Sequence, residues 1–277
     1  MAENNKAIKL YTGDVVAATS SKGNQEKWYD AATDCWYKLD RTGFEALAEA
    51  VTSELLQKFS NIETELGYKI VAYHIDSVEV HRNTRRASVS FNFLREGQIQ
   101  TAYHILKRAL GSDYQKILAA EKTIPGRLKK IVDTIEDISG LEHFGAYLTL
   151  LFEVDALIAN EDRHLNNIAI LEENGKYHYC PLFDNGEGLM LDNVKYPFDV
   201  ETRGLMKHLR AKPFQCRFGT ILSAARDLYG AQLKIVCSAA EVSKIAEKYL
   251  DWYQPMFRPF LKERILDVVL LQMKKYF

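Results

Sequence analysis

Cysteine is scarce in this chain of 277 residues, and what there is follows no pattern. Cys35, Cys180, Cys216 and Cys237 stand far apart, with no Cys-x-x-Cys pair among them. That spacing excludes a zinc ribbon and a disulfide frame and predicts free thiols in a reducing compartment. An excess of one charge is lacking too. The 36 Lys and Arg against 37 Asp and Glu leave a formal net charge of −1. No global basic field therefore points to nucleic acid or to an anionic membrane surface. No apolar run approaches the roughly 20 residues of a transmembrane helix. The opening MAENNKAIKLYTG has no apolar signal core, so a cytoplasmic protein is expected. Export without a cleaved signal would leave no such mark. Internal repeats, low-complexity tracts and flexible linkers are missing as well.

What is present concentrates between Leu157 and Leu191, LIANEDRHLNNIAILEENGKYHYCPLFDNGEGLML. An apolar helix pattern runs from Phe144 to Ile158 and ends on the polar loop Asn160–Asn167. Two β-runs follow, Ile168–Leu171 and Tyr177–Phe183, joined by Glu-Asn-Gly, and read as a hairpin. The hairpin carries Asp162 and Asn167 at its entrance and Asp184 at its exit, so the three can converge. Phosphoryl transfer needs a carboxylate to accept the proton of the attacking hydroxyl, and oxygen ligands for magnesium. In the kinase scheme a metal-binding Asn follows the base Asp by five positions, and a second metal-binding Asp comes later, just before a Gly. Asp162, Asn167 and Asp184 with Gly186 have that order. An Asp-Asn-Gly is more often a plain turn; the weight lies in the conjunction of loop, hairpin and second acid.

The residues Asn160-x-Asp162-Arg163-His164-x-x-Asn167 resemble the catalytic loop of the HipA-like kinases, including the smaller CtkA-type members. The order Asp-Arg-His also resembles the phosphatidylinositol 3- and 4-kinases. Phe183-Asp184-Asn185-Gly186-Glu187, with Asn in the middle position, is similar to the HipA-like metal-binding turn. The resemblance implies a two-lobed, protein-kinase-like α+β fold. A small antiparallel-sheet lobe, residues 1–94, would face a mostly helical large lobe, 95–277, with ATP and Mg2+ between them. It further implies that Ser21, Lys22 and Gly23 belong to a loop covering the phosphates. One of the hydroxyls of Thr19, Ser20 and Ser21 would become self-phosphorylated there.

Elsewhere the pattern is less specific. Strands are expected at Ala7–Tyr11, Val15–Ala18 and Cys35–Leu39. Lys38, flanked by large apolar residues, either snorkels to water or points into a cleft, and kinases hold the phosphates with such a strand Lys. The helix after it, with Phe44, Leu47, Ala48, Val51 and Leu55 as its apolar stripe, sets Glu45 and Glu49 on a neighbouring face. The resemblance favours Glu49 as the partner of Lys38. Further strands are expected at Lys69–His74, Val78–His81 and Ala87–Leu94, with Arg82, Arg85 and Arg86 in a solvated turn between them. The resemblance makes Phe93 part of the lobe junction that meets adenine. Pro125-Gly126 is expected to break the helical region, with a helix following from Leu128 to Ile138. Asp155 is expected to be partly exposed. His164, grouped here with the nucleotide site, has no second His or Cys at ligand spacing and is expected to order its loop by hydrogen bonding. Lys212-Pro213-Phe214 resembles a short recurrent HipA-like element with no assigned chemistry.

The expected reaction is transfer of the γ-phosphoryl group to Ser or Thr of a protein. Asp162 would be the base, Asn167 and Asp184 the metal ligands. The alternatives are a phosphoinositide or other small-molecule kinase, and a catalytically weak kinase-like binding module. An antitoxin partner is allowed by the resemblance but supported by no residue, and this length has no room for the extra N-terminal subdomain of full HipA proteins.

Overall fold

The computed structural model describes residues 8–9, 26–41, 43–80, 82–94 and 97–277. The expected strand Val15–Ala18, the hydroxyls of Thr19 and Ser20, and Ser21, Lys22 and Gly23 lie outside the described residues.

The N-terminal sheet is built from β1 (Ile8–Lys9), β2 (Lys27–Asp30), β3 (Cys35–Leu39), β4 (His74–Val80) and β5 (Asn83–Phe91), in the order β1-β4-β5-β3-β2. All pairings are antiparallel except β1 with β4. Side chains alternate across a strand. Cys35, Tyr37 and Leu39 of β3 therefore join Trp28, Val78, Val80, Ala87 and Val89 in one small core. Lys38 is turned to the opposite face, toward α1 (Glu45–Phe59).

Helix α1 is more deeply buried than a one-sided stripe implies: every residue from Glu45 to Leu56 is buried. It is covered on one side by β3, β4 and β5 and on another by α8 (Ala239–Leu250). Its apolar side chains thus belong to the same core as the C-terminal helices. The expected strand Lys69–His74 is instead a crossing segment. It bonds the hairpin exit, Val71 N–H to Leu182 O at 3.0 Å and Leu182 N–H to Lys69 O at 2.8 Å. Arg85 and Arg86 lie inside β5 rather than in a solvated turn. Arg86 donates to the Trp252 carbonyl and stacks on Tyr253; Arg85 pairs with Glu26.

The second sheet contains a strand the pattern hid, β6 (Gln98–Thr101), beside β7 (Ala169–Glu173) and β8 (Lys176–Tyr179), in the order β6-β7-β8. The β7–β8 turn has both Asn174 and Gly175 at positive φ, 51° and 75°. That is what a two-residue turn between right-twisted strands requires, and it explains Asn-Gly there.

The remaining helices are α2 (Ala102–Leu110), α3 (Tyr114–Ala120), α4 (Ile124–Ser139), α5 (Phe144–Ile158), α6 (Thr202–Met206), α7 (Phe218–Tyr229), α8 and α9 (Arg258–Tyr276). Pro125 does not break α4 but sits in its first turn, with the Thr123 hydroxyl accepting the Gly126 N–H. The missing N–H of proline costs nothing there. Helix α5 is buried almost all round and packs on α4, α7 and α9. A Cβ at Gly145 would come within 2.3 Å of the Tyr229 ring, so glycine permits the α5–α7 approach. Among the described residues no helix is long and apolar enough to cross a membrane.

Candidate functional site

The site begins where α5 ends. Ala159 takes a left-handed conformation, φ 56°, and turns the chain into the loop. Asn160 braces the entry, donating from Nδ2 to Asp155 Oδ1 (2.8 Å) and accepting the Asp162 N–H (3.0 Å). Two backbone bonds tighten the loop, His164 N–H to Asp162 O at 2.7 Å and Asn167 N–H to His164 O at 2.8 Å. The Asn167 amide donates to the same Asp162 carbonyl at 3.1 Å. Its nitrogen being so used, its oxygen is the end left for a ligand.

Beneath the loop lies Arg163, only 2% exposed. Its guanidinium grips Asp155 through Nε (3.0 Å to Oδ2) and one terminal nitrogen (2.9 Å to Oδ1). It also donates to the carbonyls of Asn167 (3.0 Å) and Phe183 (3.1 Å) and to Asn185 Oδ1 (3.0 Å). One side chain therefore joins the end of α5, the loop and the hairpin exit. Asp155, expected to be partly exposed, is 2% exposed. Burial pushes its carboxyl pKa up, against the pull of Arg163. An isolated acid could not stay ionised there, so Arg163 and Asp155 need each other.

Above the loop, three distant segments meet at one ammonium. Lys38 Nζ lies 2.5 Å from Glu49 Oε1 and 2.5 Å from Asp184 Oδ1. The second Glu49 oxygen accepts the Asn185 N–H at 2.9 Å, and Glu49 is fully buried. Of Glu45 and Glu49, it is Glu49 that partners Lys38. Glu45 turns to the backbone N–H groups of Arg41 and Gly43. Burial alone would depress Lys38, but Asp184 and Glu49 raise its pKa well above the usual lysine value. Burial would raise the pKa of Asp184, yet Lys38, Lys27 and Arg163 hold it below the usual carboxylate range. Lys27, opposite Lys38 on β2, has its own pKa lowered by burial. Asp184 has φ 63°, a left-handed conformation that few non-glycine residues hold without support.

Phe93 lies just beyond β5, its ring centroid 6.0 Å from that of Phe183. Both pack on a small apolar cluster of Ala169, Leu171 and Cys180. His164 departs from expectation. Its ring Nε2 stands 3.7 Å from Asp162 Oδ2, outside hydrogen-bond reach, and its buried Nδ1 has no partner among the described residues. The loop is ordered by the backbone of residue 164, not by its imidazole.

Several participants escaped sequence reasoning. Arg163, inside the quoted motif, gave no sign of burial, since charged side chains are usually outside. Lys212, 2.6 Å from Asp162 Oδ1, lies 50 positions away in sequence. Arg264 of α9, also buried, donates to the carbonyls of Met190, Tyr196, Pro197 and Val200 and so ties down the segment after the hairpin. Lys212 stands in the Lys-Pro-Phe element noted in the sequence, which carried no assigned chemistry, and Arg264 had only its place on a scaffold helix.

No protein-family model matches the chain, and no curated protein sequence does. Solved structures do. The Helicobacter pylori proinflammatory kinase CtkA superposes with a TM-score of 0.58 at 12% identity, covering 98% of this chain and all of that one. The Shewanella oneidensis toxin HipA, from its complex with HipB and operator DNA, gives a TM-score of 0.45 at 13% identity, covering 93% of this chain and 65% of that one. The α+β arrangement, a small and mostly antiparallel sheet lobe beside a helical portion, is the kinase-like fold of CtkA over its full length.

Proposed function

We propose that this protein is an ATP- and magnesium-dependent protein kinase of HipA-like type, acting on Ser or Thr hydroxyls. The observation that carries the reading is Lys38, held 2.5 Å from both Glu49 and Asp184. Protein kinases hold nucleotide phosphates with a strand lysine paired to a helix glutamate, and a third-segment aspartate beside it holds magnesium. The sheet and α1, within residues 1–94, would supply the phosphate-holding groups, and residues 95–277 the chemistry.

Asp162 would accept the acceptor hydroxyl's proton, its backbone held by Asn160 and its carbonyl by Asn167. Asn167 Oδ1 and Asp184 would hold the metal. Hard oxygen donors suit magnesium, which takes its other ligands from water and phosphates. Bound magnesium would supply neutralisation of phosphate charge. Lys38, released from Asp184, and Lys27 would face the same phosphates. Phe93 and Phe183 would form an apolar wall for the base, at the lobe junction. By the resemblance, His164 and the 21–23 loop would belong to the nucleotide side, and the acceptor would be a cytoplasmic protein.

The test is ADP formation from MgATP in the presence of a protein acceptor, dephosphorylated casein, beside liposomes carrying phosphatidylinositol. Faster turnover with casein is expected. Faster turnover with the liposomes would establish the lipid-kinase alternative. Nucleotide binding without any ADP would leave a kinase-like binding module. Peptide mapping after incubation with MgATP is expected to find phosphate between Thr19 and Ser21, where its charge of about −1.5 to −2 would repel a second nucleotide. An active enzyme with unmodified residues 19–21 would remove that switch alone.

A further inference from the structure

A cation reaches Asp162 from a segment the reaction scheme above leaves idle. After α6 the chain forms a short loop closed by Ala211 and Cys216, with Ala211 N–H to Cys216 O at 2.7 Å and Cys216 N–H to Ala211 O at 3.3 Å. The loop is moored to the neighbour of Asp162. The Arg210 N–H donates to Glu161 Oε1. Glu161 Oε2 accepts from Tyr196 Oη (2.5 Å) and Lys195 Nζ (2.6 Å). Lys212 Nζ then stands 2.6 Å from Asp162 Oδ1. Both side chains are about a third exposed, and an ion pair so placed adds little to stability. Its value must be sought in what it does to the carboxylate. With Oδ1 taken, Oδ2 is the oxygen left to meet a hydroxyl, since His164 Nε2 stops 3.7 Å short of it.

We propose, resting on the kinase reading, that Lys212 is a further functional residue of phosphoryl transfer. It presents Oδ2 of Asp162 to the acceptor and balances charge as the proton moves. In the step, the acceptor O–H proton passes to Asp162 Oδ2. The acceptor oxygen bonds to the γ-phosphorus while the bond from that phosphorus to the β–γ bridging oxygen breaks. The bridging oxygen leaves on ADP with the electron pair. Asp162 becomes neutral, Lys212 loses its counter-charge, and its ammonium is drawn to the adjacent phosphoryl oxygens.

The experiment compares wild type, Lys212→Met, Lys212→Arg, Asp162→Asn and the Lys212→Met/Asp162→Asn double variant. It measures ADP formation from MgATP with casein, affinity for MgATP, and thermal midpoints. Removing one preorganised donor costs about 10²–10³ in turnover, and that loss is expected in kcat for Lys212→Met, with nucleotide affinity and thermal midpoint unchanged. Lys212→Arg keeps the positive charge and should recover part of the loss. The double variant should be no slower than Asp162→Asn alone, because groups acting as a unit are not additive. Wild-type turnover in Lys212→Met overturns the assignment. So do additive losses, or a loss of turnover that follows a fallen thermal midpoint, since either marks a structural role. If Lys212→Met does not fold, Lys212→Gln is judged by the same comparison. A wild type that forms no ADP overturns the kinase reading, and this inference with it, whereas an active Lys212→Met overturns the inference alone.

Discussion

Two ionic clusters sit on either side of the loop at 160–167, and they are built differently. Below it, Arg163 and Asp155 form a closed unit: both are 2% exposed, and the guanidinium is saturated by a carboxylate, two carbonyls and an amide oxygen. Above it, Lys38, Lys27, Glu49 and Asp184 form an open one. The Asp184 side chain keeps 21% of its surface exposed, its backbone is left-handed, and two lysines bear on it. A closed cluster with matched partners can only hold the structure. An open cluster with a strained acid and a second lysine beside it is equipped to exchange one of its own contacts for a ligand's. Burial of charge does not distinguish scaffold from site here, whereas saturation of its hydrogen bonds does.

The largest effect is expected at the group between the clusters. Asp162→Asn preserves size and the loop's backbone bonds but cannot accept a proton, and general-base contributions are about 10²–10⁴-fold. ADP formation should fall by that factor while MgATP affinity survives; undiminished turnover would exclude Asp162 as the base.

Next comes the closed cluster. Arg163→Met leaves the buried Asp155 without its cation, and breaking such a pair typically costs about 3–5 kcal/mol. Chemical denaturation should show that loss, and Arg163→Lys should not repair it, because an ammonium cannot reproduce the fork. A folded, equally stable Arg163→Met protein would mean that the two clusters do not differ as argued.

At the open cluster, Asp184→Ala should be costly for the metal. Losing one charged contact is worth about 1.5–3 kcal/mol, visible as weaker ATP binding in the presence of magnesium. Without magnesium, affinity should hold or rise, since Lys38 then has Glu49 as its one remaining acidic partner. Equal losses under both conditions would make Asp184 a turn residue.

The smallest effect concerns Asp40, a buried acid that makes no ion pair among the described residues. Asp40 accepts the Ala46 N–H at 2.7 Å at the start of α1. Burial raises its carboxyl from 3.8 to about 7, with the nearby charge of Glu45 adding to it. Because the folded state holds this proton more tightly than the unfolded one, the contribution is full below about pH 4 and is lost as pH rises through about 7. Asp40→Asn, which is always neutral, should flatten the stability profile in that window; an unchanged profile would show that Asp40 ionises without penalty.

Much of this was legible locally. The Asn174-Gly175 turn, the spacing of Asp162 and Asn167, and the apolar period of α1 are short-range patterns, and short-range patterns survive in a sequence because backbone geometry repeats every two or 3.6 residues. Where the local rule had two outcomes, the sequence left them open. Pro125 can break a helix or begin one, and Asp155 can face water or a guanidinium. Strand β6 was hidden because Gln98–Thr101 has no apolar alternation, being half-covered only through its pairing with β7.

Local sequence patterns specify the chemical groups and the frames that carry them: a lysine on a strand, Glu45 and Glu49 near the start of the following helix, and an Asp, an Asn and a second Asp around a hairpin. Tertiary structure decided which of these meet. Lys38 lies 146 positions from Asp184, and Lys212 lies 50 from Asp162. Glu49 rather than Glu45 takes the ammonium because β3 lies against one face of α1 and the hairpin exit against the same face. Contacts of that kind carry no periodic signature. They arise from the burial of two apolar surfaces that bring the chain's distant segments together, and a charge pair forms wherever that burial happens to leave opposite groups face to face.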